Sequence, residues 1–240
     1  MDDSTAKSAA WPGPTDVDYF TQAQAGGWGD MLAAFARFVD LPPGSSVLDA
    51  GAGPGLLPRL LADGGARLAV GCDDSLAMVR RAVELAERDS AGLVTRPRAV
   101  GECANPQGLV WLAGDALRLP FAAAAFDAAV ATNLLFLLPD PAAGLLALAR
   151  VVRPGGIVAF LNPADTLCIP AAEAFMDVRG IRGFDRFSFV NYARLAEAHH
   201  RLPADAWLAL ARDAGLVDLR VETRAGGLVL FVRGVRKEAS

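Results

Sequence analysis

The segment Val47-Leu48-Asp49-Ala50-Gly51-Ala52-Gly53-Pro54-Gly55 constrains this chain more than any other. A short apolar run enters a glycine-rich turn, and the helical pattern Leu56–Ala62 leaves it, which reads as strand, tight turn and helix. The alternation then repeats. Leu68–Cys72 is a second strand, followed by a helix from about Ser75 to Arg88, with Ser75 as its N-cap. Leu109–Ala113 and Asp127–Ala131 are the third and fourth strands. Ala142–Val151 is a helix closed by Arg153-Pro154-Gly155-Gly156, and Ile157–Leu161 is the fifth strand. Strands alternating with helices predict an α/β fold, its mostly parallel sheet covered by helices on both faces.

The flanks differ from this core. Residues 1–14 read as a loose arm, and the apolar residues from Asp16 to Asp40 as two helices broken at Gly26-Gly27. Residues 163–203 carry helical stretches and many aromatics without a clear strand. Ala204–Ala214 is a helix, and Val217–Thr223 with Leu228–Val232 a hairpin. No repeat or strong linker divides the 240 residues. The expectation is one domain: a helical cap over 1–42, a core over 43–162, an inserted lid over 163–203, and a final helix and hairpin over 204–240. The connection from Asp89 to Gly108 is unusually long for such a core.

The formal net charge of −4 gives no broad positive field, so no nucleic-acid partner is expected. Arg179, Arg182 and Arg186, interleaved with Asp177 and Asp185, read as a solvated, salt-bridged face. Cys72, Cys103 and Cys168 are scattered and belong to no Cys/His cluster, so neither disulfides nor a metal site is indicated. The start Met1-Asp2-Asp3-Ser4 does not suit a signal peptide. Phe121–Pro139 is apolar, but Asp127, Thr132 and Asn133 within it argue against a membrane span. A cytoplasmic protein off the membrane, monomeric or homodimeric, is the expectation.

Four strand ends carry the chemistry. Asp49 lies at the end of the first strand, and the turn after it is expected to offer free backbone amides. A carboxylate there would repel a pyrophosphate. It suits a ligand with a cationic end, or else it bonds the turn amides. Leu56 occupies the place of the third glycine of the dinucleotide pattern, a departure from NAD-binding sequences. Asp73 closes the second strand, where a carboxylate accepts ribose hydroxyls, and Asp74 beside it is the acid assigned to helix capping. Gly114-Asp115-Ala116 ends the third strand with an acid able to accept from an exocyclic amine, and Thr132-Asn133 follows the fourth. Together they are expected to line one pocket.

This series, with Leu119-Pro120-Phe121, Phe126-Asp127 and Arg150-Val151-Val152-Arg153-Pro154-Gly155-Gly156, resembles the class I S-adenosylmethionine-dependent methyltransferases over roughly residues 45–161. It looks most like the small-molecule branch that includes quinone-biosynthesis and natural-product enzymes. The resemblance implies a Rossmann-like seven-stranded sheet whose last hairpin supplies an antiparallel strand. It implies S-adenosylmethionine as cofactor, with Asp49, Gly51, Ala52 and Gly53 at its methionine end. Asp73 and Asp74 would lie at the ribose, and Gly114, Asp115 and Ala116 at the adenine. Asn133 would face the methionine moiety, and Met78 either packs on the adenine or is plain core. Many relatives carry histidine after the fourth strand, where this chain has Leu134-Leu135-Phe136-Leu137-Leu138.

The implied reaction is in-line displacement at the sulfonium methyl, in which positioning supplies much of the rate. A general base is needed only for an acceptor that must lose a proton. His199, His200 and Tyr19 are the candidates, although His199-His200 read more simply as polar residues of an exposed helix next to Arg201. Tyr19, Trp28, Phe184, Phe187, Phe189 and Tyr192 are either pocket walls or core aromatics, and suit a small hydrophobic acceptor. The alternatives are a catalytically silent cofactor-binding protein and an NAD-dependent oxidoreductase.

Overall fold

A computed structural model describes residues 27–89 and 108–238. Its elements in chain order are α1 (Gly27–Val39), β1 (Ser46–Ala50), α2 (Leu56–Asp63), β2 (Leu68–Asp73), α3 (Leu76–Asp89), β3 (Leu109–Ala113), β4 (Phe126–Thr132) and α4 (Pro141–Val151). There follow β5 (Val152–Pro163), α5 (Ile169–Val178), α6 (Gly183–Glu197), α7 (Ala204–Asp213), β6 (Leu216–Arg224) and β7 (Val229–Arg236). The first predicted N-terminal helix, with Tyr19, and most of the 89–108 connection lie outside the described residues.

Seven strands form one sheet in the order β3-β2-β1-β4-β5-β7-β6. β7 runs antiparallel to both β5 and β6, so the other six strands share one direction. The predicted mostly parallel sheet with an antiparallel hairpin strand is what forms. β1 is buried along its whole length, and Ala128, Ala129, Val130 and Ala131 of β4 are fully buried. These central strands therefore read as continuous apolar runs, as a sheet covered on both faces requires. β1 pairs with β2 on one side and β4 on the other, so the strand order reverses between β1 and β4. The carboxyl ends of those two strands open the crevice in which such sheets bind ligands.

Helix starts and turns depart from expectation in two places. α4 begins at Pro141, one residue early, because the Asp140 side chain accepts the Ala143 amide at 3.0 Å and proline suits the first turn. Arg153–Gly156 does not simply close that helix. Val152 already pairs with Phe126, and pairing resumes at Ile157 opposite Ala128, so the Pro-Gly-Gly segment bulges out of β5. The bulge needs Gly156, where a Cβ would come within 2.5 Å of the Asp127 carbonyl oxygen.

After β5, α5 and α6 supply the expected helical segment. Arg182 and Arg186 both pair with Asp177, at 3.2 and 2.7 Å, while Arg179 lies over the Phe175 ring. Among the described residues, no helix is long and apolar enough to cross a membrane.

Candidate cofactor and acceptor site

The loop after β1 is tied down by its own amides. Gly51 and Ala52 donate to the Cys72 carbonyl at 2.8 and 3.1 Å, and Gly55 donates to the Ala52 carbonyl at 3.0 Å. Gly53 donates to Asp73 Oδ2 at 2.8 Å. Position 54 is proline, so every N–H of the loop is spent within the protein. The expectation of free loop amides for a ligand is overturned, because the neighbouring strand and Asp73 take them. What the loop offers is room. A Cβ at Gly53, whose φ is +53°, would meet no protein atom within 4 Å, so a ligand can approach its backbone closely.

The Asp73 carboxylate bridges two elements. Oδ2 holds the loop, and Oδ1 accepts the Ser75 amide at 2.9 Å at the start of α3. Burial pushes Asp73 above its ordinary value, against the lowering effect of these two amides. Each oxygen keeps a further lone pair for a ligand hydroxyl. The cap of α3 is Ser75, whose Oγ accepts the Met78 amide at 3.3 Å. Asp74 is therefore not the capping acid, and it lines the cavity beside Asp73.

At the end of β3, the Gly114 amide continues the ladder by donating to the Asp73 carbonyl at 2.9 Å. Asp115 Oδ1 accepts the Leu117 amide at 2.8 Å and caps the 3₁₀ turn Ala116–Arg118. That leaves its other carboxylate oxygen uncommitted among the described contacts. After β4, Asn133 turns the chain in the left-handed region (φ +55°), which asparagine tolerates well. Its amide donates to the Leu161 carbonyl, and its side-chain Oδ1 is buried without a partner among the described residues.

One cavity joins these ends. Gly51, Gly53, Asp73, Asp74, Asp115 and Asn133 form its polar wall, with Ala52, Gly114, Ala116 and Thr132 between them. The apolar part of the lining is formed by Trp28, Leu32, Leu134, Leu137 and Leu138. Among the described residues, no lysine or arginine lines it. A pyrophosphate would face carboxylates and no free loop amide there, whereas a ligand with hydroxyls, an amine and a cationic end fits.

Two predicted residues stand apart from the wall. Asp49 is 1% exposed, lies behind the loop, and neither of its oxygens has a partner among the described residues. It does not bond the turn amides, which go to Cys72 and Asp73 instead. Burial, then the nearby Asp73, push its carboxyl well above the usual range. An orphaned buried acid beneath a ligand loop is a site for positive charge. Met78 is fully buried and absent from the wall, which places it with the core.

The histidines are not brought to the cavity. His199 Nδ1 lies 2.8 Å from the Leu195 carbonyl, and its ring stands edge-on to Phe136. His200 is exposed, and its backbone amide donates to the Phe136 carbonyl. Cys72, whose thiol is pushed up to about 12 chiefly by burial, points its sulfur at the Gly114 carbonyl and is no nucleophile. Among the described residues, no cluster of His, Cys, Asp and Glu is arranged to hold a metal ion. Leu32, Pro54 and Leu57 complete the wall. Leu32 and Leu57 were not singled out as site residues from sequence, since a wall leucine and a core leucine have the same spacing.

Comparison with known proteins agrees with this geometry. The "Methyltransferase domain" family matches residues 48–160. A demethylmenaquinone methyltransferase from a Parafrankia species is 36% identical over 213 residues, covering 85% of this chain and 82% of the relative. One from Corynebacterium urealyticum is 37% identical over 207 residues, covering 83% and 80%. Among solved structures, magnesium protoporphyrin IX methyltransferase from Synechocystis PCC 6803 with bound SAH superposes with a TM-score of 0.62. It is 18% identical and aligns over 93% of this chain and 95% of that one, a likeness of fold.

Proposed function

The chain belongs to the class I S-adenosylmethionine-dependent methyltransferases, and from that premise we propose that its acceptor is a hydrophobic, hydroxyl-bearing aromatic of the naphthoquinol kind. Methyl transfer from S-adenosylmethionine to a small molecule is the activity of the family. The observation that carries the acceptor class is the mixed lining of the cavity, in which carboxylates and Asn133 occur together with Trp28, Leu32, Leu134, Leu137 and Leu138. Three leucines that follow the fourth strand, Leu134, Leu137 and Leu138, belong to that lining. The named activity of the two relatives above, on demethylmenaquinone, supports the same class.

Bound S-adenosylmethionine supplies an electrophilic sulfonium methyl. We assign Asp73 to the ribose hydroxyls through its spare lone pairs, with Asp74 beside it. Asp115 is assigned to the adenine amine through its uncommitted oxygen, and Ala116 and Gly114 to the ring. Asn133 Oδ1, lacking a partner among the described residues, takes the ammonium end, and Asp49 behind Gly51–Gly53 balances the ligand's positive charge. The apolar wall excludes water and holds a flat ring for in-line attack. The cofactor would supply its methyl to a ring carbon or oxygen of the acceptor and leave as the thioether, and the acceptor's displaced proton would pass to solvent. Free thiols at Cys72 and Cys168 support a reducing, cytoplasmic setting.

The test is direct. Purified protein, radiolabelled S-adenosylmethionine and anaerobic 1,4-dihydroxynaphthalene should give a labelled, solvent-extractable product. Label transfer to catecholamines or polar amines, with none to naphthoquinols, would reverse the assignment.

A further inference from the structure

Side chains of paired strand residues stand on one face of the sheet, and the face alternates along each strand. Gly71 pairs with Asp49 and Asp49 with Val130, so Asp73, Asp49 and Thr132 share a face, Asp73 and Thr132 each two residues beyond the pair. Thr132 pairs with Leu161, and Leu161 with Phe231, whose ring lies edge-on to Phe35 of α1 at 5.2 Å. Thr132 therefore ends β4 on the side of the sheet that α1 covers, and α1 brings Trp28 and Leu32 to the cavity. Thr132 is partly exposed and, among the described residues, the one hydroxyl-bearing residue of that lining. Its Oγ1 makes no hydrogen bond among the described residues and is not one of the sealed, unpartnered polar atoms. The hydroxyl is open to a ligand in the cavity.

Strand order says what that hydroxyl faces. The relevant edge runs β3, β2, β1, β4. Adenine is assigned to Asp115 after β3 and ribose to Asp73 at the end of β2, so the ends of β1 and β4 are left for the methionine moiety and the acceptor. Among the described residues no lysine or arginine lines the cavity, so no protein cation holds the acceptor there as an anion. A phenol that keeps its proton needs a partner for its O–H, since a hydroxyl withdrawn from water without one costs free energy. We propose, resting on the cofactor and acceptor assignments above, that the acceptor's O–H donates to Thr132 Oγ1, which makes Thr132 the residue that selects an oxygen-bearing ring.

The test uses the full-length wild type, Thr132→Val and Thr132→Ser, each saturated with S-adenosylhomocysteine, and titrates 1-naphthol or naphthalene by calorimetry. Valine keeps the branched shape and removes the hydroxyl, so Thr132→Val should bind 1-naphthol about three- to tenfold more weakly and naphthalene equally well. Thr132→Ser keeps the hydroxyl and should hold 1-naphthol within about twofold of the wild type. Affinity for S-adenosylhomocysteine should not change in either variant, and Thr132→Val should not melt earlier, since no protein bond is lost. Equal binding of 1-naphthol by wild type and Thr132→Val overturns the proposal, as does no binding by the wild type. A matching loss of S-adenosylhomocysteine affinity in Thr132→Val also overturns it, because the hydroxyl would then serve the cofactor. Binding of 1-naphthol that depends on the Thr132 hydroxyl, without methyl transfer to any naphthoquinol, leaves this inference standing and removes the reaction assignment instead.

Discussion

Asp73 ties the end of β2 to the glycine loop by accepting the Gly53 amide on Oδ2 at 2.8 Å, twenty positions away in sequence. With Oδ1 on Ser75, one side chain sets the spacing between the loop and α3. Asp73→Asn replaces one of these acceptors with an amide donor facing an N–H. Each charge-assisted bond lost is worth about 1.5–3 kcal/mol, so S-adenosylhomocysteine affinity should fall at least about tenfold. Titration calorimetry reads this directly, and unchanged affinity would remove Asp73 from the site.

Both acids near the loop make the ligand-free protein sensitive to pH. Burial raises the carboxyls of Asp49 and Asp73 above the ordinary 3.8, so the folded state holds protons that the unfolded chain releases. Their contribution is fully present below pH 3.8 and is lost as pH rises through their folded values. Thermal melts should show the wild type losing stability relative to Asp49→Asn as pH rises above that point. At pH 8 the Asp49→Asn variant should also bind S-adenosylmethionine more weakly than the wild type, since the balancing negative charge is gone.

Asp127 acts in the opposite sense. Its carboxylate accepts the Ser46 amide at 2.7 Å, the Ser46 hydroxyl at 2.8 Å and Arg153 Nε at 2.8 Å, and is lowered to about 2 chiefly by Arg153. Its stabilisation is present above pH 3.8 and fades as pH falls through about 2. Asp127→Ala leaves the buried Ser46 amide unpaired and should cost about 1–3 kcal/mol. Arg153→Ala, at a half-exposed partner, should cost under about 1 kcal/mol. Urea denaturation of the two variants tests the ranking.

How much of this was legible in sequence follows from the range of each interaction. The strand–turn–helix alternation is local, so the sheet could be read from apolar runs and glycines. The polar strand ends Asp73, Asp115 and Asn133 were legible because the parallel sheet brings all carboxyl ends to one edge. Which oxygen faces which amide was not, because Gly53–Asp73 is a long-range choice that competes with a ligand for the same lone pairs. Ser75 and Asp74 were both assigned to capping because Asp and Ser are equally good N-caps by type, and only geometry removed Asp74 from that role. The Asp140-Pro141 start of α4, by contrast, was available as a local signal.

Trp111 packs where two glycines leave space. A Cβ at Gly55 would approach its Cη2 to 2.3 Å, and one at Gly71 would approach its ring to 2.5 Å. Gly71 lies outside the left-handed region, so the clash alone decides its substitution, whereas Gly55 at φ +82° adds backbone strain. Gly71→Ala should cost about 1–3 kcal/mol through overpacking, and Trp111→Leu should recover part of it. Gly55→Ala should not be rescued to the same extent. Equal rescue in both double-mutant cycles would refute the strain term.

The apolar wall should separate acceptor binding from cofactor binding. Leu137 is part of that wall, partly exposed, and belongs to the 3₁₀ turn Leu135–Leu137 after β4. Leu137→Asn puts an amide against the acceptor ring and removes roughly a buried leucine's worth of apolar contact, about 1.5–3 kcal/mol. The expected result is a tenfold or greater rise in KM for 1,4-dihydroxynaphthalene with S-adenosylhomocysteine affinity held within about twofold. The carboxylate wall is untouched by the change, so an equal loss of both affinities would mean that the two walls do not serve two different ligands.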